Sequence, residues 1–217
     1  MWRSFVLLRY FPSGPFGTNT YLLFCPVTKK GAVIDVPFDS VEPMIRLAQE
    51  EGVSVEMILL THSHWDHIAE VSLLKERLGI PVYIHAADAD NLRKPGSDRL
   101  LRPRSFAGVE PDGFLEEGQI ILLGHLKIQV IYTPGHTPGG VCFFLEKEGV
   151  LLSGDTLFQG AIGNLSFPTA RPERMKHSLI RLLGLPPSTQ VYPGHGDPTT
   201  IEEETSQIRT FLGDHHG

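Results

Sequence analysis

The chain has 217 residues, 41% hydrophobic and 20% charged, enough for one sizeable domain with a full core. A formal net charge of −6 gives no general attraction to nucleic-acid phosphates. No apolar run approaches the roughly 18 residues that span a bilayer. Arg9 follows the short opening apolar stretch and no small-residue cleavage site is visible, so the start reads as a first strand, Phe5–Phe11, rather than a signal peptide. Strands follow at Thr20–Cys25, Ala32–Val36, Met57–Leu60, Val82–Ile84, Gln119–Leu123, Lys127–Tyr132, Val141–Leu145 and Val150–Leu152, where β-branched and aromatic residues lie between Gly, Pro and Asn. Helices are expected over Val41–Glu51, Ile68–Leu78, Pro172–Leu183 and Ile201–Leu212, the first capped by Asp39 or Ser40. Arg93 to Gly113 mixes Pro, Gly and charge and reads as a long surface loop. Cys25 and Cys142 sit in apolar runs as buried thiols, which makes a reducing, cytoplasmic setting the expectation. Early hairpin-like strands followed by alternating helices and strands suggest sheets covered by helices, with no domain boundary.

The informative residues come where strands stop. Met57–Leu60 runs into Thr61-His62-Ser63-His64-Trp65-Asp66-His67, and Val130–Tyr132 into Thr133-Pro134-Gly135-His136-Thr137-Pro138-Gly139. Val150–Leu152 runs into Ser153-Gly154-Asp155-Thr156, and Gln190–Tyr192 into Pro193-Gly194-His195-Gly196. Ligands of α/β sheets gather beyond the carboxyl ends of strands, so these loops are expected to converge. His62 and His64 can face one ion from an extended backbone, whereas Asp66 and His67 point elsewhere and suit a second. Imidazole and carboxylate donors favour zinc, iron or manganese over thiolate-seeking ions. Four such side chains within six positions beside an apolar strand would be a costly concentration of polar groups without a metal. His136 and His195, flanked by Gly and Pro, are available as further ligands, and Asp155 offers two oxygens.

The sequence resembles the metallo-β-lactamase superfamily, and within it the single-domain glyoxalase II-like (hydroxyacylglutathione hydrolase-like) proteins. Thr61 to His67 matches T-H-x-H-x-D-H, and T-P-G-H-T-P-G, S-G-D-T-L-F and Y-P-G-H-G begin at Thr133, Ser153 and Tyr192. The resemblance spans essentially the whole chain. It implies an α/β fold, a four-layer αββα sandwich of two mixed sheets flanked by helices, forming one domain over residues 1–217. It also implies two divalent metal ions, zinc with iron or manganese as alternatives. His62, His64 and His136 would hold one, Asp66, His67 and His195 the other, and Asp155 would bridge. The implied activity is hydrolysis of a thioester of hydroxyacylglutathione type by metal-activated hydroxide, with Asp66 both ligating and orienting the nucleophile. Thiolate, with a thiol pKa near 8.5, leaves without a dedicated acid, and no motif names one. The superfamily's β-lactamases typically carry Cys at the bridging position of one zinc site, so Asp155 argues against antibiotic degradation.

Some residues depart from the family pattern. Two-domain glyoxalase II enzymes continue into a helical glutathione-binding domain, whereas 22 residues follow His195 here, so that domain is not expected. Asn164 and Ser166 stand where related compact proteins carry a charged pair, and Ala69-Glu70 where Gly-Gly is usual. Asn164 is therefore a candidate substrate contact. Arg102 and Arg104, in a loop with Arg93, Lys94 and Arg99, are candidates to clamp an anionic substrate. The expected partner is a small (thio)ester, with no nucleic acid or membrane, in a monomer or homodimer. Sharing these motifs, a mononuclear-iron persulfide dioxygenase and a lactonase or phosphodiesterase are the competing readings, and a non-catalytic module would have lost ligands. His125, His177, His215 and His216 are expected to be exposed, and His85 to cap a strand without a partner.

Overall fold

The computed structural model describes residues 7–213. Phe5, Val6, His215 and His216 lie outside them. In chain order the elements are β1 Leu7–Ser13, β2 Thr18–Phe24, β3 Lys30–Ile34, α1 Val41–Glu50, β4 Ser54–Leu59, α2 Trp65–Ile68, α3 Val71–Leu78, β5 Val82–His85, α4 Ala89–Arg93 and β6 Gly113–Leu115. They continue with β7 Ile120–Leu123, β8 Leu126–Tyr132, β9 Val141–Leu145, β10 Val150–Gly154, β11 Leu157–Phe158, β12 Ala161–Ile162, α5 Pro172–Leu183, β13 Gln190–Pro193, β14 Thr199–Thr200 and α6 Ile201–Leu212. No helix among the described residues is long and apolar enough to cross a membrane.

Two sheets carry the fold, in the orders β1-β2-β3-β4-β5-β6 and β14-β13-β10-β9-β8-β7. Both are mixed. In the first, β1 to β3 pair antiparallel and β3 to β6 parallel; in the second, the parallel β10–β13 pair interrupts antiparallel pairing. Strand alternation divides the side chains between layers. From β2, Tyr21 and Leu23 face the second sheet and meet Ile128, Val130, Phe143 and Leu152, while Leu22 and Phe24 turn outward under Val41, Met44 and Leu74 of α1 and α3. On the far side, Phe144, Leu151 and Val191 pack under Met175, Leu179 and Ile208 of α5 and α6. Helix, sheet, sheet, helix is thus the layer order. Cys25 lies between the sheets and Cys142 beneath α5, both buried and unbridged.

Four local expectations are revised. The helix expected over Ile68–Leu78 is two helices, because the Glu70 N–H leaves the helical ladder to donate to Val36 O at 3.0 Å. Ser40 does precede α1 but does not cap it with its side chain, which donates to Pro37 O. The Glu70 carboxylate instead accepts from Ser40 N and Val41 N, both at 3.1 Å, so the departure from Gly-Gly at this point supplies an anion to a helix start. His85 is not without a partner: its ring stacks on Tyr132 with centroids 4.2 Å apart, joining the two sheets at their ends. The segment after Arg93 is also pinned down more firmly than a surface loop. Asp98 is buried, accepting from Asn91 Nδ2 and Leu100 N, while Phe106 and Val109 pack on the core.

Candidate metal centre

The strand directions bring the chemistry to one edge of the sandwich. β3 and β4 run parallel in one sheet, and β8, β10 and β13 share a direction in the other. Their carboxyl ends release Asp35, the segment 61–67, the segment 133–140, Asp155 and His195. A lone bridge between Thr18 and His195 ties the start of β2 to the same place. The seven expected ligands meet there in three overlapping groups: His62, His64 and His136; His62, His67 and Asp155; and Asp66, His67 and His195.

Hydrogen bonds on the far side of each ring aim the imidazoles. His67 Nδ1 donates to Asp35 Oδ2 at 2.8 Å, His136 Nδ1 to Asn164 O at 2.9 Å and His195 Nδ1 to Phe16 O at 3.2 Å. Thr61 Oγ1 gives its proton to Asp35 Oδ2, so its lone pairs accept from His62 Nδ1 at 3.0 Å. In all four rings the proton therefore sits on Nδ1, leaving Nε2 as the free donor atom turned to the cluster. His64 is the exception and turns Nδ1 inward, 2.8 Å from His136 Nε2.

The cluster fits metal ions on its own geometry. His62 Nε2 and Asp155 Oδ1 are buried with no hydrogen-bond partner, a costly state unless a cation takes their lone pairs. His67 Nε2 lies 3.4 Å from Asp155 Oδ1 and 3.3 Å from His195 Nε2, and His195 Nε2 lies 3.2 Å from Asp66 Oδ2. Ligands about 2.1 Å from one tetrahedral ion stand about 3.4 Å from each other, so these spacings are those of a shared centre. Asp155 reaches both groups, since its Oδ2 is 3.3 Å from His136 Nε2 and 3.6 Å from His195 Nε2.

The electrostatics agree. Burial opposes any charge on His67, yet Asp155, Asp66 and Asp35 hold its pKa well above the usual histidine value. That pocket calls for positive charge. Burial and the neighbouring His67 push His62 well below the usual value, and burial with His136 takes His64 down to about 3, so both are neutral and ready to ligate at pH 7. Asp155 and Asp66 are buried, which favours their neutral forms, but His67 and its neighbours hold both below the usual carboxylate range.

Behind the ligands lie two carboxylates that the sequence did not single out. Asp35, 1% exposed and with φ of 57°, accepts from Thr61 N, Thr61 Oγ1 and His67 Nδ1. It does end a strand, as the expected ligands do, but nothing in its neighbours marks it. Asp88 clasps two ligand loops, accepting from Ser63 N at 2.9 Å and from Gly139 N at 2.6 Å. A Cβ at Gly139 would stand 2.6 Å from its Oδ1, so glycine permits the approach. Gly194 has the same role beside Asp155 and His67, whose atoms a Cβ would overlap. Asp88→Asn sets an N–H donor against one of those backbone N–H groups. Titration of the metal-free variant is expected to show affinity lowered about tenfold or more at the site of His62, His64 and His136, with Asp66, His67 and His195 still binding; unchanged affinity at both would limit Asp88 to a structural role.

The three candidate substrate residues each have contacts within the chain. Asn164 serves the centre through its backbone carbonyl, while its side chain accepts from Ser166 N. Arg104 pairs with Asp39 at 3.0 Å and lies over the Phe38 ring, and Arg102 donates to Pro95 O. His125 and His177 are exposed, as expected.

The profile of the family described as Metallo-beta-lactamase superfamily matches residues 13–195. Hydroxyacylglutathione hydrolase GloC of Haemophilus influenzae is 32% identical over 81% of this chain and 84% of its own. Among solved structures, BLEG-1 B3 metallo-beta-lactamase superposes with a TM-score of 0.87 at 34% identity, covering 95% of this chain and 100% of that one. TTHA1623 in a di-iron-bound form gives 0.76 at 37% identity over 91% and 96%. ETHE1 from Myxococcus xanthus gives 0.78 at 26% identity over 95% and 85%.

Proposed function

The chain belongs to the metallo-β-lactamase superfamily, and from that membership we propose that it is a binuclear metal-dependent hydrolase cleaving a thioester of hydroxyacylglutathione type. The observation that carries the reading is Asp155, whose two oxygens reach the imidazoles of both ligand groups. Two divalent ions bound there would polarise a carbonyl and activate water at neutral pH. The residues supply the rest. His62, His64 and His136 form one half of the cradle, Asp66, His67 and His195 the other. Asp66 is held below the usual carboxylate range, is fixed by Thr18 Oγ1 at 3.1 Å and lies 3.2 Å from His195 Nε2, so besides ligating it can orient a water presented to the cluster. A thiolate needs no proton to depart, which suits a site whose named residues include no dedicated acid. The relationship to GloC, whose name carries this chemistry, points the same way.

A second reading, opening of a β-lactam, is favoured by the likeness to BLEG-1, which weakens the argument from Asp155 against it. One panel separates the candidates: S-lactoylglutathione, a lactone, a phosphodiester, a β-lactam, and a persulfide followed by oxygen uptake. The thioester is expected to be turned over with a kcat/KM at least about a hundredfold above the rest, roughly 2.7 kcal/mol of transition-state preference. Faster opening of the β-lactam would replace the reading with the second one, and oxygen uptake would move it to sulfur oxidation.

A further inference from the structure

Solvent reaches the ligand cluster beside His195, whose side chain is 27% exposed against 0% for His67 and 8% for His136. The flanks of that opening are aromatic. Phe16, on the turn between β1 and β2, is 63% exposed, and its ring packs 4.9 Å from Trp65 while its carbonyl holds His195. Phe158, at the end of β11, is half-buried with its ring 6.2 Å from that of His195. On the other flank the half-buried Phe167 meets His64 edge-on at 5.2 Å and His136 at 5.5 Å. Three separate segments each bring a phenylalanine to the ligand cluster, Phe16 and Phe158 on the side of His195 and Phe167 on the side of His64 and His136.

Single exposed apolar side chains are ordinary, but three grouped at the mouth of a reactive cluster form a binding surface. Four arginines that could recognise a carboxylate already have partners. Arg93 binds Glu110 and Asp90, Arg104 binds Asp39, and Arg102 and Arg171 donate to carbonyls of their own loops.

We propose that Phe16, Phe158 and Phe167 form an acyl-group subsite that selects thioesters carrying an aromatic or bulky apolar acyl substituent over those with a small one. The inference rests on the thioester reading and specifies its substrate class. Offset and edge-on ring contacts reward an aromatic substituent beyond its area alone.

S-mandeloylglutathione and S-lactoylglutathione test it, because they share thiol and 2-hydroxyacyl core and differ in phenyl against methyl. The wild-type protein is expected to prefer the mandeloyl substrate about tenfold or more in kcat/KM. Phe16→Ala and Phe167→Ala, each assayed with its metal content measured, are expected to bring the ratio towards one. Phe16→Tyr, which keeps the ring, is expected to retain it. Equal kcat/KM for the two substrates in the wild type, which needs no variant to fold, overturns the subsite alone. Turnover of neither overturns the thioester reading and the subsite with it. A preference that survives both alanine substitutions removes it from these residues.

Discussion

Asp155→Ala is expected to lower kcat by about a thousandfold, roughly 4 kcal/mol of transition-state stabilisation, and to leave one tightly held ion where two were bound. The reason is position rather than charge alone. Asp155 Oδ1 faces His67 and Oδ2 faces His136 and His195, so its loss removes a donor from both halves of the site together. It is also the foremost of the carboxylates that favour positive charge at His67. The metal-free variant is not expected to lose much stability, because a buried carboxylate with an unpartnered oxygen is a poor stabiliser. Steady-state kinetics with metal analysis on one preparation read both effects. Wild-type turnover with two ions retained would remove Asp155 from the role given to it.

Asp35→Ala ranks second and acts differently. Three donors lose their acceptor at once: Thr61 N, Thr61 Oγ1 and His67 Nδ1. A buried donor left unsatisfied costs about 1–3 kcal/mol, so denaturant unfolding of the metal-free protein is expected to show a loss of about 3 kcal/mol. Freed from Asp35, His67 no longer has its proton fixed on Nδ1, and metal affinity is expected to fall about 10- to 100-fold. Thr61 Oγ1 also supports His62, so the loss extends to the first group of ligands. A variant that is destabilised yet binds both ions with unchanged affinity would make Asp35 a fold residue and nothing more.

The cluster was legible because so many imidazoles and carboxylates beside apolar strands would be costly without a cation. His62, His64, Asp66 and His67 crowd one strand end, and the structure gathers them with His136, Asp155 and His195. Strand and helix positions were legible where a dense apolar run lies between Gly residues, as in β9, or where apolar residues recur at helical spacing, as in α5, and the bounds of both match expectation. What escaped was set by tertiary contact. The two-residue strands β11, β12 and β14 are too short for any period to mark them. The break at Glu70 depends on Val36, a distant residue. Asp35 reads as part of the strand expected over Ala32–Val36, nothing marks Asp88 until the loops it holds are in place, and Asn164 acts through a backbone carbonyl that no side-chain pattern encodes. In the arginine loop, charge in the sequence does not reveal that Arg104 pairs with Asp39 and that Arg102 donates to Pro95 O.

The most direct test of the central claim is metal content per chain by elemental analysis, on the same preparation assayed with a hydroxyacylglutathione thioester. About two divalent ions per chain, with turnover lost on chelation and restored by adding metal back, is the predicted result. A metal-free preparation that hydrolyses the thioester at full rate, or one that binds two ions and leaves it untouched, would contradict the account.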